Sequence, residues 1–371
     1  MSSQKHQMCL LFHVVLFSVW ILAFENADAQ QFQLANSSMF CSLYSFGDSF
    51  VDPGNNNYIA TNARSNFPPY GNDFPGQNAT GRFSNGLLFP DFLAYFLGSE
   101  KYQLAYLGRE LDFEEPEAIQ LWQRLQFFKE YKADLRNTVG KNRANSQIKA
   151  AVFYVRAGSA DFALNYFPDA FNYFDGSKTS SPLPECEHFL LKRVQRFIQE
   201  LWVQGAQKFA VSGLPPLGCI PIGITNLPPN PKNSKAVQNG DRKCLEHVNN
   251  ISGEFNSLLV VKLQELQSKF PETNIAYIDF EVPLLDAIQD PRARRYQTYY
   301  SIELGFTGFN EVNKGCCRTG LTETGPYCNE TTPICADTSQ YVFWDAVHPM
   351  ETTNEIIFTS NLDAINEIIG N

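Results

Sequence analysis

The sequence predicts an α/β fold with a mainly parallel sheet and helices on both faces. Two observations carry this. Short apolar runs closed by glycine alternate with longer amphipathic stretches, and strands separated by helices imply βαβ crossovers. There is also no internal repeat and no low-complexity tract to suggest a solenoid or a tail.

The strands come in order. Residues 43–46 (LYSF) read as a buried strand ending at Gly47, and residues 151–157 (AVFYVRA) as a second ending at Gly158. Residues 208–212 (KFAVS) form a third, closed by Gly213 and the Pro215-Pro216 pair, and residues 274–279 (NIAYID) a fourth. Apolar residues at helical spacing predict helices over 189–204, 245–270 and 354–369. In parallel sheets, reactive groups collect where strands end at the carboxyl edge. Ser49 and Gly158 both lie just past such an end. Residues 225–241 are polar and rich in Pro and Asn, which reads as a surface loop inside one domain.

At 371 residues, 44% hydrophobic and 14% aromatic, the chain has ample material for one large core. Its beginning stands apart. Lys5, an apolar run from Met8 to Phe24 and then Ala27-Asp28-Ala29 have the layout of a secretory signal peptide cleaved after Ala29. A single domain from 30 to 371 and an extracellular destination are therefore expected, with no membrane-spanning segment in the mature chain.

Cysteine usage points the same way. Of nine cysteines, Cys9 sits in the leader. The rest are Cys41, Cys186, Cys219, Cys244, Cys316, Cys317, Cys328 and Cys335, an even set that implies disulfides in an exported chain. Cys219 and Cys244 flank the polar loop and are expected to pair. The four between 316 and 335 are close enough for two local bridges. Their spacing does not match paired zinc-ligand motifs, so no metal and no cofactor is expected. Sequons at Asn36, Asn78, Asn250 and Asn329 are candidate glycosylation sites. The net charge of −10 argues against nucleic acid as a partner. A monomer acting on a small-molecule or polymeric partner is expected.

Histidine narrows the chemistry. His6 and His13 leave with the leader, and His188 and His247 lie at helix starts, where solvated or capping roles are ordinary. His348 follows the strand-like run YVFWDAV and precedes Pro349, which keeps it out of a helix. Asp345, three residues earlier, can fold back and orient its ring. By itself a D-x-x-H match is weak. At the other end of the chain, Phe46-Gly47-Asp48-Ser49 sets a serine on a turn after a strand, where its hydroxyl can act as a nucleophile. The competing reading is a Ser or Asp that merely caps a helix. Asp48 and Asp52 also admit a metal or phosphatase role, though their spacing fits no nucleophilic aspartate motif.

Taken together, FGDSFVDPGNNN (46–57), FPPYGNDFPGQNATGRFSNG (67–86), LPPLGC (214–219), GCCRTG (315–320) and YVFWDAVHP (341–349) resemble the plant GDSL esterase/lipase family, a branch of the SGNH hydrolases. The resemblance spans most of residues 40 to 365. It implies a flavodoxin-like three-layer sandwich and an ester hydrolase acting on lipids or acylated cell-wall material. It places the nucleophile on Ser49, the base on His348 and the acid on Asp345.

Two departures accompany it. The family forms its oxyanion hole from the nucleophile's N–H, a glycine of a second block and an asparagine of a third. Here the third block reads Gly158-Ser159-Ala160-Asp161, so Ala160 stands at the asparagine position. The interval 99–118 is short by comparison with the family and holds one glycine, Gly108. Ser159 and Arg156 are the local candidates to replace the missing donors. The alternative these departures raise is a secreted binding or decoy protein that keeps the fold and has lost turnover.

Overall fold

The computed structural model describes residues 41–108, 119–156, 158–163, 183–227, 242–292 and 308–370. The expected leader, Asn36, residues 109–118 and most of the 225–241 segment lie outside these.

Among the described residues four strands form a parallel sheet in the order β1 (Leu43–Phe46), β2 (Val152–Arg156), β3 (Lys208–Ser212), β4 (Asn274–Ile278). Leu43 pairs with Val152, Val152 with Lys208, and Lys208 with Asn274, so all four carboxyl ends lie at one edge. The expected strands are all present, within a residue at each end. β2 is buried along its whole length because both its faces are covered.

Side-chain alternation divides the core in two. Phe153 and Val155 enter one cluster with Leu125, Ile198 and Phe255, while Val152 and Tyr154 enter another with Phe89, Leu93 and Ile365. The first face is covered by α2 (Leu121–Val139), α4 (Leu183–Val203) and α5 (Glu246–Lys269). The second is covered by α1 (Phe89–Phe96), α7 (Glu351–Ser360) and α8 (Leu362–Ile369). Two further helices, α3 (Lys141–Ala150) and α6 (Glu281–Gln289), lead into β2 and out of β4. This is the three-layer, flavodoxin-like α/β sandwich expected.

The C-terminal helix expected over 354–369 is two helices. The break falls at Asn361, whose side chain is buried and clamped to the end of β4. Its amide donates to Asp279 O at 2.9 Å and Ile357 O at 2.8 Å, and its Oδ1 accepts from Asp279 N at 2.8 Å. An asparagine that bonds backbone groups this way competes with the helix ladder.

A second, two-stranded parallel sheet pairs β5 (Glu311–Gly315) with β6 (Tyr341–Phe343). Around it Cys316–Cys335 and Cys317–Cys328 form the two local bridges, and Cys219–Cys244 closes the polar loop. Cys41 and Cys186 are left as buried thiols, which corrects the expectation drawn from an even count. They belong to clusters on opposite faces of the sheet and cannot meet. Cys219–Cys244 spans a separation of 25 residues, so replacing both with Ala is expected to cost roughly 3 kcal/mol on the loop-entropy model. Urea unfolding of the double variant measures this, and an unchanged midpoint refutes it.

One carboxyl at the start of α7 makes stability depend on pH. Glu351 is half-buried, and its Oε2 occupies the space in front of Gly86. Burial of the carboxyl, with Asp73, Glu355 and Asp91 nearby, lifts it to about 8 against a hydrogen bond from the Leu87 backbone. A carboxyl raised in the folded state binds its proton more tightly there than in the unfolded chain. Stability contributed by that proton is present at low pH and is lost as pH rises from the ordinary glutamate value toward 8. The melting temperature is expected to fall across that window, and Glu351→Gln should flatten the decline.

Candidate active site

The turn after β1 is built to expose Ser49. A side chain at Gly47 would come within 2.5 Å of Val51 Cγ2 and 2.6 Å of the Arg156 carbonyl, so only glycine allows the turn to pack on β2. Asp48 then ties the turn together: its Oδ1 accepts from Phe50 N and its carbonyl from Val51 N, both at 3.1 Å. Asp52 does the same for the next loop. Its carboxylate accepts from the N–H groups of Gly54, Asn55 and Asn56 at 2.6–3.0 Å. Both carboxylates are thus engaged by their own loops, which gives these residues a structural role in the DSFVDPGNNN segment.

The other half of the site is a tight turn after β6. The strand-like run expected up to Val347 stops at Phe343 because the chain folds around the Asp345 side chain. Asp345 Oδ1 accepts from Val347 N at 2.8 Å and His348 N at 2.7 Å, and Trp344 N donates to His348 O at 2.8 Å. This turn places His348 Nδ1 2.8 and 2.9 Å from the two Asp345 oxygens. On the far side of the ring, His348 Nε2 lies 2.7 Å from Ser49 Oγ. The structure therefore brings Ser49, His348 and Asp345 into one hydrogen-bonded line, although 299 positions separate the serine from the histidine.

Asp345 is fully buried, and burial alone would raise its pKa. The charge of His348 and hydrogen bonds from His348 and Tyr70 outweigh that and hold the carboxyl below its ordinary value. Tyr70 Oη donates to Asp345 Oδ2 at 2.7 Å and Thr324 Oγ1 does so at 2.8 Å. Burial, and next the Asp345 charge, push the Tyr70 hydroxyl well above its usual value, so it stays protonated and keeps donating. Phe83 and Phe50 flank the imidazole at 4.8 and 5.2 Å between centroids.

Ser49 and His348 open into a cleft of 1720 Å³ that also reaches Ala160 and Gly108. Ala160 is exposed there and presents only a methyl group. The Gly108 N–H is spent on Ala105 O at 3.3 Å. Arg156 is fully buried beneath the turn, its guanidinium 4.2 Å from the centroids of both Phe50 and Phe280. Its Nε is 3.5 Å from Asp48 Oδ1, and its Nη2 donates to Ser159 Oγ at 3.3 Å. Arg156 is thus committed to Ser159 and to Asp48, and it braces the nucleophile turn. His188 is exposed on α4 and His247 half-buried at the start of α5, and neither lines the cleft.

Sequence reasoning missed three contributors. Tyr70 lies in the FPPYG segment and Thr324 in a polar stretch, and nothing in their spacing announces a bond to Asp345. Arg124 of α2 donates through Nη1 to the Gly47 carbonyl and through Nε to Ile119 O at 3.1 Å, pinning the turn from the cleft side.

A parallel α/β sheet with serine, histidine and aspartate hydrogen-bonded in series at its carboxyl edge has the architecture of a serine hydrolase. The family model for GDSL-like lipase/acylhydrolase matches residues 43–360, and the chain belongs to that family. Similar curated proteins from Arabidopsis thaliana agree. GDSL esterase/lipase APG is 34% identical over 361 residues, covering 91% of this chain and 94% of that one. GDSL esterase/lipase At5g45960 is also 34% identical, covering 88% of this chain and 86% of its own. The alignment with GDSL esterase/lipase At1g06990, 32% identical, runs over 387 residues and covers 97% of this chain and all of the relative. Since this chain has only 371 residues, that relative carries stretches it lacks.

Proposed function

We propose that this chain is a secreted serine ester hydrolase that cleaves carboxylic esters of lipids or acylated cell-wall material. The observation that carries the reading is the 2.7 Å contact between Ser49 Oγ and His348 Nε2, with Asp345 behind the ring. Ser49 attacks the acyl carbon while His348 Nε2 takes its proton. Asp345 holds the Nδ1–H tautomer and stabilises the imidazolium that forms. His348 then returns the proton to the leaving alcohol, and water, activated the same way, releases the acid. Developing charge on the carbonyl oxygen is met by the backbone N–H of Ser49, which donates to no acceptor among the described residues. Hydrolysis of p-nitrophenyl acetate by purified protein tests the reading.

A second reading is favoured by one specific observation. Ala160 offers no donor and the Gly108 N–H is already used, so a secreted binding or decoy protein would show this same site with negligible turnover. No release of p-nitrophenol above background selects that reading.

Secretion rests on the leader, the sequons and the three disulfides. Asn78 and Asn250 are exposed and open to glycans, whereas the Asn329 amide donates to Pro326 O at 2.9 Å. N-terminal sequencing of the exported protein should begin at Gln30. Recovery of a cytosolic protein that retains Met1 overturns the assignment.

A further inference from the structure

Asp345 is completely buried, and whenever His348 is uncharged its carboxylate has to persist there as an anion beside a neutral ring. Four neutral donors surround it. Val347 N and His348 N bond Oδ1, while Tyr70 Oη and Thr324 Oγ1 bond Oδ2. The first two belong to the turn that carries the histidine. The second two reach in from distant parts of the chain, and a substitution can remove them without touching the backbone.

The Tyr70 hydroxyl is not free to turn away. It accepts from Gly325 N at 2.8 Å, which spends a lone pair and leaves its hydrogen directed at Asp345 Oδ2, 2.7 Å off. The ring is buried and edge-on to Phe67, Phe83 and Trp344, with centroids 5.9, 5.8 and 6.0 Å away. Thr324 and Gly325 both sit inside the loop closed by Cys317–Cys328, so the second donor and the anchor of the first share one cross-linked segment. Phenylalanine at position 70 would keep these ring contacts and remove only the hydroxyl.

We infer that Tyr70 is a positioning residue: its hydroxyl, fixed by Gly325 N, holds Asp345 ionised and aimed at Nδ1, and so sets how readily the Asp345–His348 pair takes up a second proton. With one proton, on Nδ1, the pair leaves Nε2 free to accept from Ser49. A second proton occupies Nε2 and silences the base, however it is shared between ring and carboxyl. The O–H dipole of Tyr70 turns its positive end toward the pair and opposes that second proton. Any effect on rate rests on the hydrolase reading above; the effect on proton binding does not. The other groups around the pair are accounted for. The Ser49 hydroxyl meets Nε2, and Phe50 and Phe83 flank the ring. Arg156 lies against Phe50 and pairs with Asp48, and the Glu323 carboxylate beside Thr324 accepts from Thr319 Oγ1 and Leu321 N.

The test titrates the His348 ring signals by NMR in wild type and in Tyr70→Phe. Removing the hydroxyl should tighten proton binding about three- to tenfold, raising the midpoint by about 0.5 to 1. The acid limb of kcat/KM for p-nitrophenyl acetate should move to higher pH by the same amount, since that limb reports the base of the free enzyme. KM should change little, because Tyr70 lies behind Asp345 and does not line the cleft. Thr324→Val removes the other Oδ2 donor and should raise the midpoint too, which keeps the test available if Tyr70→Phe does not fold. Thr324→Ser, which retains a hydroxyl, should bring the midpoint back. A Tyr70→Phe protein that melts lower while its titration and acid limb stay with wild type shows that the hydroxyl only stabilises the fold. The proposal then fails and the hydrolase reading stands. A raised midpoint in a chain whose wild type cleaves no ester keeps the coupling and removes the hydrolase reading.

Discussion

Ser49→Ala should abolish ester hydrolysis, with kcat for a small aryl ester falling on the order of 10⁶-fold if the serine acts as nucleophile. The fold should not notice the change. Among the described residues Ser49 Oγ bonds only to His348 Nε2, and the turn is held by Gly47, the Asp48 carboxylate and Arg124. Loss of the hydroxyl thus removes the reacting atom and leaves the scaffold. His348→Ala should cost nearly as much, because residues that act as a unit are not additive. Asp345→Asn should lower kcat by about 10⁴-fold by favouring the wrong imidazole tautomer. It also turns an amide N–H₂ toward groups that all donate, since Asp345 accepts from Tyr70, Thr324, Val347 N and His348 N. That variant should therefore lose stability as well as rate, whereas Ser49→Ala should lose rate alone. A Ser49→Ala protein that hydrolyses the aryl ester at the wild-type rate refutes the proposed mechanism outright.

The parts of this fold that the sequence discloses are those governed by local pattern. β1 to β4 are recognisable because each is a short run dominated by apolar residues and closed by a residue that ends it, and in β2 burial along the whole strand keeps that run uninterrupted. β5 is not recognisable: Glu311-Val312-Asn313-Lys314-Gly315 has no apolar face and is a strand because β6 and the disulfide cluster around it supply the partner. The same distinction separates Asp345 from Tyr70. Asp345 is three residues from His348, so one turn suffices to bring them together, and sequence spacing can suggest it. Tyr70 is 275 residues from Asp345, and only the assembled tertiary structure makes them neighbours. The split of the C-terminal helix follows the same logic. Asn361 is a tolerable helix residue until β4 ends beside it and offers the Asp279 backbone as a better partner. The place of β1 at the end of the described strand order has no local signature either, because strand order is set by tertiary pairing.

Ala160→Asn should raise kcat for the same aryl ester by roughly 10²- to 10³-fold, the usual worth of one side-chain oxyanion donor. Three observations set this expectation. Ala160 lies exposed on the cleft shared with Ser49 and His348, directly after Gly158 and Ser159 at the end of β2. Gly158 adopts φ 116°, a conformation that favours glycine and that carries the following residues out toward the cleft. Of the two local substitutes, Arg156 is sealed between Phe50 and Phe280, donates to Ser159 Oγ and pairs with Asp48, while Ser159 is buried with its Oγ accepting that bond. Position 160 consequently supplies no donor to the oxyanion, whose proposed donor is the Ser49 N–H. An amide at position 160 adds a fixed donor whose bond strengthens as the carbonyl oxygen gains charge, so it acts on the transition state more than on the bound ester. The gain should therefore fall in kcat, with KM changing little. The exposed position leaves room for the larger side chain, and the melting temperature should stay within about a degree or two of wild type. Steady-state kinetics of wild type, Ala160→Asn and the Ser49→Ala/Ala160→Asn double variant settle the matter. A fast wild type unaffected by the new amide shows that another group already fills the hole. A slow wild type that Ala160→Asn accelerates only while Ser49 is present shows that the triad is intact and that position 160 limits the rate.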